Sequence, residues 1–262
     1  MKRFLVFLFF SAFVLQTCLF AQEQISTPAS WVPLLEKARA LEKKGDYLES
    51  QKIYESLLQE ETLGRRARSV RSEYEALNLK LLFSPIETPG SFLYEVVPGD
   101  TLYDLAKKYG TTAALIQRSN HLSSDGKIYA GKKLKIVRSR FSIVVRKQRN
   151  RLTLMADEKP LKHYRVATGY QGSTPEGSFK IANKLENPTW YHAGLVLPPD
   201  SPQNILGSRW LGFDTPGYGI HGTALPQTIG TQSSKGCVRM FNSDAEELYD
   251  IIPLGTAVTV KK

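Results

Sequence analysis

Thiols are nearly absent: 262 residues contain two cysteines, Cys18 and Cys237. That scarcity leaves no room for a disulfide framework or a thiolate metal cluster. Histidine is scarce too, and His121, His163 and His192 lack ligand spacing, so neither a metal nor a cofactor is expected. Low-complexity tracts are missing. Long apolar runs are missing as well, except Phe4 to Val14, which is too short to cross a bilayer. With Met1-Lys2-Arg3 before it and Leu19-Phe20-Ala21 before Gln22, that run reads as a cleaved signal peptide over residues 1–21. Leu15-Gln16-Thr17-Cys18 only loosely follows a lipoprotein cleavage box. Export to the periplasm or cell wall would leave Cys237 as the only thiol. A lone thiol in an exported protein points to its chemistry rather than its packing.

The net charge is +10 and becomes +8 without Lys2 and Arg3. Residues 22–90 carry 10 Lys+Arg against 11 Asp+Glu, whereas 91–262 carry 23 against 14. A basic surplus on an exported chain fits an anionic envelope, and nucleic acid is not expected as a partner.

The pattern predicts an α+β multidomain chain. Over 22–85, Leu34, Leu35, Ala38 and Leu41 fall at helical spacing before a Gly45-Asp46 break. Ser50, Ile53, Tyr54 and Leu57 resume it, and a third helix runs from about Arg65 to Leu82, ended by Pro85. Ser84 to Ser91 reads as a turn-rich linker. Tyr94 to Val97, a helix capped by Asp100 or Thr101, a second helix over about 112–120 and a strand over 134–137 make a β-α-α-β module within 92–138. From 140 to 262 short strands dominate: Phe141–Val145, Leu152–Met155, Tyr164–Ala167, Phe179–Ala182, Gly219–His221 and Ala257–Val260. Gln148-Arg149-Asn150 fits a hairpin turn, and Ser243-Asp244-Ala245-Glu246 reads as a capping box opening a helix. Frequent glycine and proline suggest a compact sandwich-like or barrel-like domain.

The chemistry centres on Gly219-Ile220-His221-Gly222-Thr223 and Ser233-Ser234-Lys235-Gly236-Cys237-Val238-Arg239-Met240. A cysteine nucleophile needs a base and positive surroundings that favour thiolate. His221 can take the thiol proton, giving a mutually stabilising imidazolium–thiolate pair. Gly236 permits a sharp turn whose N–H groups can face an oxyanion, and the Arg239 guanidinium suits a carboxylate.

These two motifs, with Thr174-Pro175-Glu176-Gly177-Ser178-Phe179, Ile229-Gly230 and Leu254-Gly255-Thr256-Ala257-Val258, resemble the YkuD-type L,D-transpeptidases over 140–262. The resemblance implies Cys237 as nucleophile, His221 as general base, the Gly222 carbonyl as its orienting partner and Gly236 as an oxyanion N–H donor. It also implies that Ser234, Lys235 and Arg239 bind substrate. Its expected reaction is attack on a peptidoglycan tetrapeptide stem, loss of D-Ala through a thioester, and transfer to an acceptor amine. Lys235 departs from the pattern, since most members carry histidine there.

A second resemblance covers 92–138. Tyr94-Glu95-Val96-Val97-Pro98-Gly99-Asp100-Thr101-Leu102, Tyr109-Gly110-Thr111, Asn120 and Ile128-Tyr129-Ala130-Gly131 are similar to a LysM module. This implies glycan-strand binding around Gly99, Asp100, Thr101 and Ile128, and so peptidoglycan as the partner. The first two helices partly resemble one tetratricopeptide repeat through Ala38, Gly45-Asp46-Tyr47, Ser50 and Tyr54, which leaves room for a protein partner. An L,D-carboxypeptidase using the same thiol, or a wall-binding scaffold without catalysis, are the alternative readings.

Overall fold

The structure is a computed structural model that describes residues 31–192 and 194–262. The expected signal peptide and Cys18 lie outside the described residues. Helices α1 (Trp31–Lys44) and α2 (Tyr47–Leu57) form an antiparallel pair, and a 3₁₀ turn (Glu61–Arg66) leads into α3 (Ala67–Leu82). The small residues at the crossing are there for contact: Ala38 and Ser50 are fully buried, and the Ser50 hydroxyl donates to the Ala38 carbonyl at 2.8 Å. Leu57 and Leu77 are also fully buried, each contributing roughly 2 kcal/mol by leaving water. The third helix begins two residues later than its apolar period suggests, because Gly64 (φ +47°) breaks the backbone ahead of it.

Strand β1 (Ser91–Glu95), helices α4 (Leu102–Tyr109) and α5 (Ala113–Ser119), and strand β2 (Lys133–Val137) follow. The strands pair antiparallel with Phe92 opposite Ile136, over a core of Leu105, Ile116, Leu134 and Ile136. Thr101 and Thr112 cap the two helices by accepting from the amides of Asp104 and Leu115.

The rest of the chain builds β3 (Phe141–Arg146), β4 (Arg151–Ala156), β5 (Lys159–Arg165), β6 (Thr168–Gly169), β7 (Gly177–Glu186), β8 (Trp190–His192), β9 (Leu195–Leu197), β10 (Arg209–Phe213), β11 (Gly219–His221), β12 (Gln232–Ser234), β13 (Val238–Arg239), α6 (Asn242–Ile251) and β14 (Ala257–Lys261). Eight of them form one mixed sheet in the order β13-β11-β10-β7-β14-β3-β4-β5. Its two edges are drawn together, because Ala167, just past β5, exchanges both backbone hydrogen bonds with Arg239 of β13 at 2.9 Å. That bridge explains why β5 does not run on through Ala167: Val166 still donates to the Asn150 carbonyl at 2.9 Å, and Ala167 then turns to Arg239 to close the curl. Ala245, Leu248 and Ile251 of α6 pack on the core so formed.

The capping box does not form. Phe241 occupies the cap position of α6 without a side-chain hydrogen bond, and Ser243 lies inside the first turn. Asn242 has turned its side chain away to another loop.

The three regions share packing rather than hanging on free linkers. Leu82 of α3, Leu115 of α5 and Val137 of β2 belong to the same apolar cluster as Ile143, Leu154 and Leu248. Lys135 of β2 is buried, and its ammonium donates to the carbonyls of Leu81 and Ser84 at 2.6 and 3.0 Å, closing the C-terminus of α3. Arg118 pairs with Asp250 at 2.9 Å, and Asn78 donates to the Leu161 carbonyl at 3.1 Å. Among the described residues, no helix is long and apolar enough to cross a membrane.

Candidate active site

Strands β11 and β13 run parallel, with Ile220 opposite Val238 and His221 opposite Arg239. Ile220 and Val238 are fully buried and point into the core. Alternation then sends His221, Arg239 and Cys237 to the other face, where they line one cleft of about 400 Å³. Trp210 of β10 lies opposite His221 in the antiparallel register and stacks on its ring, with centroids 5.8 Å apart.

The imidazole is held in one tautomer. His221 Nδ1 lies 2.7 Å from the Gly222 carbonyl, which can only accept, so Nδ1 carries the proton and Nε2 is the nitrogen able to take another. The Gly222 turn is pinned in its turn by Asn242, whose Oδ1 accepts from Thr223 N at 2.8 Å and Ser208 N at 3.3 Å. A side chain at Gly222 would put its Cβ 2.1 Å from that oxygen, so glycine is required for the close approach. Burial pulls His221 down to about 4, and the Arg239 charge adds to this, against the carbonyls of Gly222 and Leu206.

The thiol sits at the end of a stapled turn. Ser234 Oγ donates to the Cys237 carbonyl at 2.6 Å and accepts from Gly236 N at 3.1 Å. Gly236 has φ +131°, and a Cβ there would meet the Tyr218 ring at 2.8 Å. Cys237 Sγ donates to the Gly217 carbonyl at 3.4 Å. Burial pushes the thiol above its ordinary value, while the Gly219 amide and the Arg239 charge pull it back. Burial thus works against the charged form of both groups. The Arg239 charge pulls the thiol down as the sequence reading expects, but desolvation is the larger influence on it.

Arg239 is buried, and its Nε has no hydrogen-bond partner. Lys235 is exposed at the rim of the cleft. The structure therefore brings together Cys237, His221, Gly222, Gly236, Ser234, Lys235 and Arg239. One detail differs from the sequence expectation: the Gly236 N–H is engaged by Ser234 and does not face the cleft as an idle oxyanion donor.

Gly99, Asp100, Thr101 and Ile128 lie away from this site, in the β1-α4-α5-β2 unit. Asp100 closes the turn before α4 by accepting from Tyr94 OH and Val97 N, both at 2.8 Å. Thr101 is the helix cap and also donates to Asp104 at 2.7 Å. Ile128 packs on the core of the unit. His121 contacts the Phe83 carbonyl at 3.0 Å and His163 contacts Glu75 at 2.5 Å, so both serve packing between regions.

Sequence reasoning missed Trp210, Asn242, Tyr218 and the β8–β9 hairpin that brings Trp190 and Tyr191 to the cleft. The hairpin carried a usable signal in its run of aromatic and aliphatic residues from Trp190 to Leu197. Asn242 carried none, because its partner amides lie 19 and 34 residues away.

Comparison with known proteins sharpens this picture. The profile of the YkuD L,D-transpeptidase catalytic domain matches residues 140–260, and that of the LysM domain matches 94–137. YqjB of Bacillus subtilis, assigned by inference as an L,D-transpeptidase, is 41% identical over 124 residues, which are 45% of this chain and 69% of YqjB. YkuD of Bacillus subtilis, assigned in the same way, is 35% identical over 177 residues, 64% of this chain and 98% of YkuD. Its counterpart in Bacillus licheniformis is 33% identical over 64% of this chain and 98% of its own. With a relative matched over nearly its whole length, and with a histidine and a cysteine facing one cleft where the profile places its catalytic domain, the chain belongs to the YkuD family of L,D-transpeptidases and carries a LysM domain ahead of the catalytic one.

Proposed function

We propose that the protein is an exported peptidoglycan L,D-transpeptidase that works through a thioester on Cys237 while its LysM region holds the wall. The observation carrying this reading is the His221 tautomer. With Nδ1–H committed to the Gly222 carbonyl, Nε2 accepts the thiol proton as Cys237 attacks, so the thiolate is generated during addition. The acyl group is the carbonyl at the L-centre of the third, diamino-acid residue of a tetrapeptide stem. The negative charge moves to the stem oxygen, where the Cys237 amide is the nearby donor not used by Ser234 to staple the turn. His221 Nε2 then gives its proton to the departing D-Ala nitrogen, and a thioester remains. An acceptor amine attacks the thioester and returns the thiol. Arg239, buried with an idle Nε at the cleft wall, binds a carboxylate of the stem, and Lys235 supplies a second positive charge at the rim.

The test is incubation of the protein with defined tetrapeptide muropeptides and mass analysis of products. Dimers are expected, and none from Cys237→Ala, which should still bind wall fragments. Tripeptides without dimers would point to the carboxypeptidase reading, and activity in the alanine variant would remove Cys237 from the mechanism.

A further inference from the structure

A second cleft of about 690 Å³ lies where α2 and α3 meet β4 and β5, and it shares no lining residue with the sulfur cleft. Five cations, Lys52, Arg71, Arg149, Arg151 and Lys159, face two carboxylates there, Glu55 and Glu75. Both carboxylates are already engaged. Glu55 takes Lys159 at 3.2 Å and Tyr74 OH at 2.9 Å, and Glu75 takes His163 at 2.5 Å. Arg71, Arg149 and Arg151 make no ion pair among the described residues, and Arg151 Nε is buried without a hydrogen-bond partner.

The sheet register makes the surplus more costly. Arg151 stands directly opposite Arg146 on β3 and Arg165 on β5, so three guanidinium-bearing side chains rise in one cross-strand row. Like charges in that relation repel. Burial holds Arg151 below its ordinary value, and the charges of Arg149, Arg71 and Arg146 push in the same direction. Arg71 comes from α3, one turn before Glu75, while Arg149 comes from the β3–β4 turn and Arg151 from β4. Three elements thus direct guanidinium groups to one hollow, where Glu75 opposes the other charges on Arg151 and the two carboxylates leave a cationic excess. Guanidinium forks match the oxygens of a tetrahedral oxyanion, and a single carboxylate would leave much of the excess charge unmatched.

We propose that this cleft is a phosphate-binding site, taking free phosphate or the phosphate group of an organic phosphate on Arg71, Arg149 and Arg151. The reading is independent of the thioester chemistry, since it involves none of the cleft residues around Cys237.

The experiment is calorimetric titration of the full mature chain with inorganic phosphate and, separately, with glycerol 3-phosphate, at ionic strength matched with sodium chloride. Saturable binding of at least one of the two is expected. It should weaken about tenfold or more in Arg151→Gln and in Arg149→Gln, as loss of a charge-assisted contact requires. Transfer activity at Cys237 should be unchanged in both variants. Arg149 is exposed in a turn, so that variant keeps its fold even if the one at Arg151 does not. Tighter binding of glycerol 3-phosphate would assign the site to an esterified phosphate, and equal binding to the phosphate group alone. No saturable binding above the chloride reference, or binding undiminished in both variants, would overturn the proposal.

Discussion

Two turns in this protein handle polar side chains in opposite ways. Around Cys237 the work of holding the backbone is done by neighbours: Ser234 staples the thiol turn, and Asn242 pins the loop after His221. The reactive groups are left facing the cleft. In the LysM region the side chains themselves hold the turn, with Asp100 accepting from Tyr94 and Val97 and Thr101 capping α4. A polar residue beside a turn is available for a ligand only when something else maintains the turn. By that criterion, the groups left open to a ligand in the LysM region are loop amides and exposed rings such as Tyr103 and Tyr129.

Four measurements can break or sharpen this contrast. The largest effect is expected from His221→Ala, which removes the proton acceptor and should lower transfer by about a thousandfold while leaving wall binding intact. A loss under tenfold in muropeptide exchange would give the base role to another group.

The second concerns pH. The folded His221 value of about 4 lies below its ordinary 6.5, so the unfolded chain binds the extra proton in that interval. The stability linked to the neutral ring is therefore complete above pH 6.5 and is lost as pH falls toward 4, by roughly 3 kcal/mol in all. Urea unfolding at pH 7 and pH 4.5 should show the fall, and His221→Gln should flatten it. An equally steep fall in the glutamine variant would assign the effect to other groups.

Third, Asn242→Ala releases two backbone amides and with them the Gly222 carbonyl. We expect kcat to fall by about ten- to a hundredfold, with KM little changed. A rise in KM alone would show that Asn242 shapes binding instead. Fourth and smallest, Asp100→Ala should lower stability by about 1 kcal/mol, and peptidoglycan binding should fall only near the melting temperature. A well-folded variant that cannot bind the polymer would make Asp100 a ligand contact and dissolve the contrast.

Local signals in the sequence were the dependable ones. The Gly45-Asp46 break, the Thr101 cap and the Gln148–Asn150 turn all depend on neighbours within a few residues, and the chain adopts each of them. The failures were contacts between distant segments. Tyr164–Ala167 looked like one strand by composition, yet Ala167 pairs with Arg239, 72 residues on, and that pairing cut β5 short. Ser243–Glu246 had the right letters for a capping box, but Asn242 serves a loop 19 residues earlier, and the helix starts ahead of the box. The motif around Cys237 was readable because each of its residues serves one short turn. The burial of both groups was not, since desolvation is a property of the closed cleft and no spacing encodes it.

Lys135 has a mechanical consequence. Its ammonium, buried in the LysM region, plugs the final carbonyls of α3, and Leu82 and Leu115 continue the same apolar cluster into the catalytic sheet. The module that would grip a sugar strand is keyed to the rest like a part on a splined shaft, without a swivel between them. A polymer seated there would lie at one fixed heading relative to the sulfur, so stems projecting from only one side of the strand would come within reach.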